Sequence, residues 1–174
     1  MRRLLLLRHA KTERVGPTDR DRDRRLTERG RNDAPTVGSF MARHRLIPDL
    51  VLLSPAKRTL QTWELVAAVL GAKPRVATDE RIYNAGSDTL VELIRETGDA
   101  RALLLIGHNP GFHDLARQLV GSGDIGARES LAEGLPTSGL VVIEFAFQDW
   151  SKLRDGGGRL ERFVSPKLIA AASD

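Results

Sequence analysis

Two apolar runs constrain what this chain can fold into more than any other feature. Leu4 to Leu7 is followed by Arg8-His9-Ala10-Lys11-Thr12, and Leu103 to Ile106 by Gly107-His108-Asn109-Pro110-Gly111. Apolar runs of this length, without polar alternation, read as strands buried on both faces, the condition of a parallel sheet covered by helices. In open α/β sheets, ligands bind beyond the carboxyl ends of such strands. Both histidines therefore fall where a ligand would sit, and an arginine directly precedes one of them. Packing alone gives no reason to end a buried strand in an Arg-His pair.

The rest of the chain alternates between the two periodicities. A helix starts near Thr27 and carries Ala34, Val37, Phe40 and Met41. Leu50 to Leu53 is a second strand, stopped by Ser54-Pro55, and a helix over 56–70 follows, with Leu60, Trp63, Val66, Ala67 and Leu70 on one face. Arg75 to Ala77 is a short strand. Ser87 or Asp88 caps a helix that Gly98 ends, and Phe112 to Val120 is a helix closed by Gly121. Residues 121–136 read as an irregular excursion. Gly139 to Phe147 is a strand, the glycines at 156–158 a turn, Arg159 to Val164 an edge strand paired with it, and Leu168 to Ala172 a helical turn. Alternation of this kind predicts an α/β fold: a mostly parallel mixed sheet between two helix layers, in one domain spanning 1–174.

Composition narrows the function classes. The 174 residues are 41% hydrophobic and 29% charged, as in an ordinary globular protein. There is no Cys, which removes disulfides, thiolate metal sites and a thiol nucleophile. Met1-Arg2-Arg3 followed by four leucines is too short an apolar stretch for a signal peptide. No run approaches a membrane span, so the expected location is the cytoplasm and no membrane partner is expected. The net charge is +4, but acids are interleaved with the arginines: Glu13 to Arg31 holds seven Arg and five Asp or Glu. That pattern reads as a self-neutralised loop rather than a nucleic-acid stripe, and one Tyr and two Trp make a poor stacking surface.

His9 is the candidate nucleophile. A neutral imidazole can attack phosphorus and split one difficult displacement into two. The negative charge on the transferring group then needs fixed cations around it. Arg8 and Arg58 supply forked, permanent ones, and His108 supplies another if protonated. Arg58 lies just after the second strand, in the first turn of a helix, where backbone N–H groups also favour an anion. Three such groups leave no need for a metal or another cofactor. His113 and His44 read as structural or exposed, and Lys11 and Thr12 as rim residues.

These motifs in this order resemble the histidine phosphatase superfamily, the phosphoglycerate mutase-like fold. The resemblance rests on Arg8-His9-Ala10, Leu26-Thr27-Glu28-Arg29-Gly30, Ser54-Pro55-x-x-Arg58-Thr59-x-Gln61-Thr62 and Gly107-His108-Asn109. The short chain and His108-Asn109-Pro110 look most like the SixA-type phosphohistidine phosphatases. It implies a phosphohistidine at His9, a phosphate pocket of Arg8, His9, Arg58 and His108, and a phosphorylated protein histidine as substrate. A small phosphorylated molecule is the alternative substrate.

Two departures stand out. Ala10 occupies a place where the family usually has Gly. The segment Asp79-Glu80-Arg81-Ile82-Tyr83-Asn84 puts Asn84, not Glu80, at the position of the general acid that many relatives carry. Glu80 is retained as the candidate acid, and a phosphate-binding module with impaired catalysis is the reading from another class.

Overall fold

The structure is a computed structural model that describes residues 1–17 and 19–172. Its sheet has seven strands: β1 (Arg2–Arg8), β2 (Leu50–Leu53), β3 (Arg75–Thr78), β4 (Ala102–Gly107), β5 (Val120–Gly123), β6 (Leu140–Phe145) and β7 (Gly158–Val164). The helices are α1 (Glu28–Arg43), α2 (Lys57–Leu70), α3 (Ser87–Arg95), α4 (Gly111–Leu119), α5 (Ile125–Glu133) and α6 (Pro166–Ala172). Strand order is β3-β2-β4-β1-β6-β7-β5, which makes β1 the central strand. Only β6 runs against the common direction.

Strand pleating divides the two apolar runs between two cores. Leu4, Leu6, Leu103 and Leu105 join a cluster with residues of α3, α4 and α5. Leu5, Leu7, Leu104 and Ile106 join a second cluster with residues of α1, α2 and α6. All eight are fully buried, and each contributes about 1.5–3 kcal/mol by leaving water. Alternate residues point to opposite faces, so a continuous leucine run is what a strand between two helix layers requires. The result is the three-layer sandwich with a mostly parallel mixed sheet that the sequence leads one to expect.

Two parts differ from the sequence expectation. Residues 121–136 are ordered: they hold β5 and then α5, capped by Asp124, whose side chain accepts from the Ala127 N–H at 2.8 Å. And β7 is not an edge strand, because β5 pairs in parallel with its outer side. Among the described residues no helix is long and apolar enough to cross a membrane.

Candidate active site

Register alone brings the two histidines together. β1 and β4 are parallel neighbours with Arg8 opposite Gly107, so both chains leave the sheet side by side. The His9 N–H donates to the Gly107 carbonyl at 3.1 Å. The two imidazole centroids lie 5.5 Å apart, and both rings are nearly buried.

Each segment of the sequence motifs has a structural task here. The Ser54 hydroxyl lies 2.7 Å from His108 Nε2 and accepts from the Ala56 N–H. Thr59 donates to carbonyls of the Ser54–Ala56 turn. Thr62 accepts from the Ala10 N–H at 3.0 Å and donates to the Arg58 carbonyl at 2.7 Å, tying the His9 loop to the helix that carries Arg58. Gln61 accepts from the Leu26 N–H. Thr27 caps α1 by accepting from the Gly30 N–H. A Cβ on Gly30 would stand 2.2 Å from the Lys11 carbonyl oxygen, so only glycine lets α1 approach the loop that closely.

Hydrogen bonding fixes the tautomer of His9. Its Nδ1 is 2.8 Å from the Ala10 carbonyl. A carbonyl only accepts, so Nδ1 carries the proton and Nε2 keeps a lone pair. Burial, with the charges of His108, Arg58 and Arg8 adding to it against the Ala10 hydrogen bond, pushes the His9 pKa down to about 3. The ring is therefore neutral at physiological pH. Burial and Arg58 lower His108 to about 4, so the free site holds it as a neutral ring, and the protonation on which the sequence made its charge conditional is not met there. The Ser54 hydroxyl is the partner of His108 Nε2, and among the described residues His108 Nδ1 has none.

Arg8 and Arg58 complete the floor. Arg8 Nη1 donates to the Leu135 carbonyl at 3.0 Å, and its Nε has no partner. Burial lowers its pKa. Arg58 is almost fully buried, and its Nε also lacks a partner. Its outer nitrogens are engaged by one residue: Nη1 donates to the Asp21 carbonyl at 2.8 Å and Nη2 to the Asp21 carboxylate at 3.1 Å. Arg8, His9, Arg58 and His108 line one cavity of about 380 Å³, and Lys11, Thr12, Arg14, Arg24, Asn84 and Asn109 are also part of its lining.

Asp21 was not singled out by sequence reasoning. It is the only carboxylate among the described residues lining the cavity. It sits in a 3₁₀ turn, Asp21–Asp23, within the Arg/Asp-rich loop. The Tyr83 hydroxyl and Arg24 also donate to it. Burial alone would raise its pKa, but the hydrogen bonds from Tyr83, Arg24 and Arg58 outweigh that and hold it at about 2. In the sequence it is one more acid in a stretch of alternating charge.

The other expected positions fall as follows. Glu80 does not line the cavity; its carboxylate is 73% exposed and pairs with Arg22 at 3.1 Å. Asn84 does line it, with φ +56, a left-handed conformation that Asn tolerates. Ala10 is fully buried in the α1–α2 core and is not part of the cavity wall, so its methyl group does not narrow the pocket. Lys11 and Thr12 are rim residues. His113 donates from Nε2 to the Leu131 carbonyl, and His44 is exposed against Phe40.

A strand-end imidazole with a free lone pair, facing two arginines and a second histidine across a parallel sheet, defines an α/β protein built around an anion pocket. The chain belongs to the histidine phosphatase superfamily (branch 1), whose family model matches residues 4–108. It is 34% identical over 150 residues to an uncharacterized protein of Mycobacterium tuberculosis, covering 84% of this chain and 92% of that one. Two solved structures are similar along nearly the whole chain. One is a candidate phosphohistidine phosphatase SixA from Agrobacterium tumefaciens: 32% identity, 95% of this chain and 98% of that chain covered, TM-score 0.80. The other is its counterpart from Nakamurella multipartitia: 27% identity, 95% and 96% covered, TM-score 0.81.

Proposed function

We propose that this protein is a metal-independent phosphatase that works through a phosphohistidine at His9, with phosphohistidine on a protein as its substrate. One observation carries the reading: the Ala10 carbonyl holds the His9 proton on Nδ1, which leaves Nε2 as a neutral nucleophile inside a pocket of unmatched donors. The names borne by the Agrobacterium and Nakamurella structures support the substrate class.

In the first step the Nε2 lone pair attacks phosphorus, and the bond to the leaving group breaks with its electron pair going to that group. Charge spreads over the equatorial oxygens, which Arg8, Arg58 and the His108 ring stabilise. In the second step water attacks the phosphoryl group. The P–N pair returns to His9 Nε2, and a water proton ends on the phosphate. Arg8 and Arg58 take the place a divalent ion holds in other phosphoryl-transfer sites. Among the described residues no group of three or more His, Asp or Glu is placed to hold a metal ion, and the one carboxylate of the pocket is occupied by three donors.

Brief incubation with a ³²P-labelled phosphohistidine protein, followed by denaturation, is expected to trap an acid-labile, alkali-stable label on the wild type and none on His9→Ala. Activity should survive exhaustive EDTA treatment. Label that persists on His9→Ala would reject the nucleophile. Robust turnover of alkyl phosphates without phosphohistidine turnover would favour the small-molecule phosphomonoesterase.

A further inference from the structure

We propose that Asp21 is a catalytic residue that selects imidazole leaving groups by accepting a hydrogen bond from the leaving ring's distal N–H. This rests on the phosphohistidine reading above and deepens it.

The placement follows from in-line displacement. His9 is buried at the floor, so the leaving group must depart on the opposite side of phosphorus, toward the mouth. Asp21 stands at that mouth, with its side chain 42% exposed, and is tethered to Arg58 of the floor. Its two oxygens are unequally used. Oδ2 accepts from both Arg58 Nη2 and the Tyr83 hydroxyl, whereas among the described residues Oδ1 accepts only from Arg24 Nη1. A carboxylate oxygen has two lone pairs, so Oδ1 retains one for a donor entering the cavity.

The chemistry explains why a carboxylate with no proton to give belongs there. An alcohol leaves well only when its bridging oxygen gains a proton, which needs an acid at the scissile bond. In phosphohistidine the activating proton sits on the other ring nitrogen. When the P–N bond breaks, its electron pair goes to the bridging nitrogen and the distal proton stays in place. The ring departs as neutral imidazole, and His9 becomes the phosphorylated ring with its own proton still on Nδ1. Net charge is conserved with no proton transferred at the scissile bond. Such a leaving group calls for an anion beside the distal N–H, and Asp21 is ionised at neutral pH. His9 is served the same way on its own side, where its distal N–H meets the Ala10 carbonyl. Asn84 and Asp21 then have consistent roles: no acid faces the scissile bond, and a fixed anion faces the far nitrogen.

The test compares three substrates in wild type, Asp21→Asn and Tyr83→Phe. N-phosphohistidine has a distal nitrogen; phosphoramidate has a P–N bond without one; p-nitrophenyl phosphate has neither. The readout is kcat/KM, which reports the step that expels the leaving group. Asp21→Asn should lower it for N-phosphohistidine by roughly 10–100-fold, the range for losing a hydrogen bond to a charged group. For the other two the loss should be smaller, because they feel only the loosening of Arg58, so the preference for N-phosphohistidine falls. Tyr83→Phe frees one tether while keeping the carboxylate, and should give the same selectivity in smaller measure. Equal losses on all three substrates would mean that Asp21 only holds Arg58 in place, and would overturn the proposal. So would an unchanged N-phosphohistidine rate. If the wild type hydrolyses p-nitrophenyl phosphate but not N-phosphohistidine, the substrate reading itself has failed. If the wild type hydrolyses both and selectivity is unmoved by Asp21→Asn, only the role of Asp21 has.

Discussion

At the floor of the pocket His9 and His108 extend from two hydrogen-bonded central strands, whereas at its mouth Asp21 hangs from a loop held by side chains. The floor is positioned by backbone: β1 pairs with β4 and with β6, and the Ser138 N–H donates to the Arg8 and His9 carbonyls. Moving His9 would mean shifting a strand whose leucines face two cores. The mouth depends on one residue's contacts with Arg58, Arg24 and Tyr83, and on Arg24 donating to the Thr12 hydroxyl and the Glu13 carbonyl. The two regions therefore answer mutation differently. A floor substitution removes chemistry and leaves the scaffold; a mouth substitution changes which substrate is favoured.

The largest effect should come from the floor. His9→Ala is expected to lower kcat by at least ~10³-fold, as removal of a nucleophile does, while far-UV circular dichroism stays native. A folded His9→Ala protein with near-normal turnover would break the comparison at its root. Arg58→Ala should cost roughly 10²–10³-fold in kcat, the range for losing one fixed donor to the transition state. Because Arg58 also tethers Asp21, this variant should lose selectivity among leaving groups as well as rate, which Arg8→Ala should not. Steady-state kinetics over the three substrates separates the two arginines.

Floor and mouth also differ in how they respond to acid. An unfolded chain protonates His9 and His108 below about 6.5, but in the fold they resist until about 3 and about 4. Between those limits the unfolded state binds more protons, so stability falls as pH falls through that window. The loss at pH 4.5 relative to 7.5 should be on the order of 5 kcal/mol, roughly half from each histidine, read from urea midpoints, and shallower in His9→Ala. Asp21 is shifted in the same direction but in a lower pH window. Its lowered pKa stabilises the fold above the ordinary carboxylate range, and that contribution disappears only as pH falls toward about 2. A urea profile that stays flat from pH 7.5 to 4.5 would show that the floor histidines are not held neutral by burial.

The same division explains what was legible in the sequence. His9, His108, Arg8 and Arg58 could be found because strand ends are marked by the apolar runs before them and by the Ser54-Pro55 stop. Asp21 could not, because its role depends on long-range contacts: Arg58 is 37 positions away and Tyr83 is 62. Charge alternation over 13–31 reads as solvated by any local rule. α5 was missed for a related reason. Among its residues only Leu131 is buried and Ile125 faces solvent, so no apolar stripe marks it. The position of β7 was misjudged because β5, the strand that covers it, is Val-Gly-Ser-Gly, a sequence with little strand signal.

Glu80 supplies the smallest expected effect and the control for everything said of the mouth. It lies close in sequence to Tyr83 and Asn84, yet its carboxylate faces outward and touches only Arg22. An exposed pair of this kind is worth about 0–1 kcal/mol. Arg22 also lies over the Tyr83 ring, 5.1 Å from its centroid, so Glu80 reaches the Asp21 network only through two intermediates. Glu80→Gln should therefore change kcat/KM by less than about twofold on every leaving group, with no change in their ranking. A loss confined to alkyl phosphates would mean that Glu80 swings inward and donates a proton at the scissile bond. Asp21 would then no longer be needed to explain turnover without an acid, and the phosphomonoesterase reading would displace the phosphohistidine one.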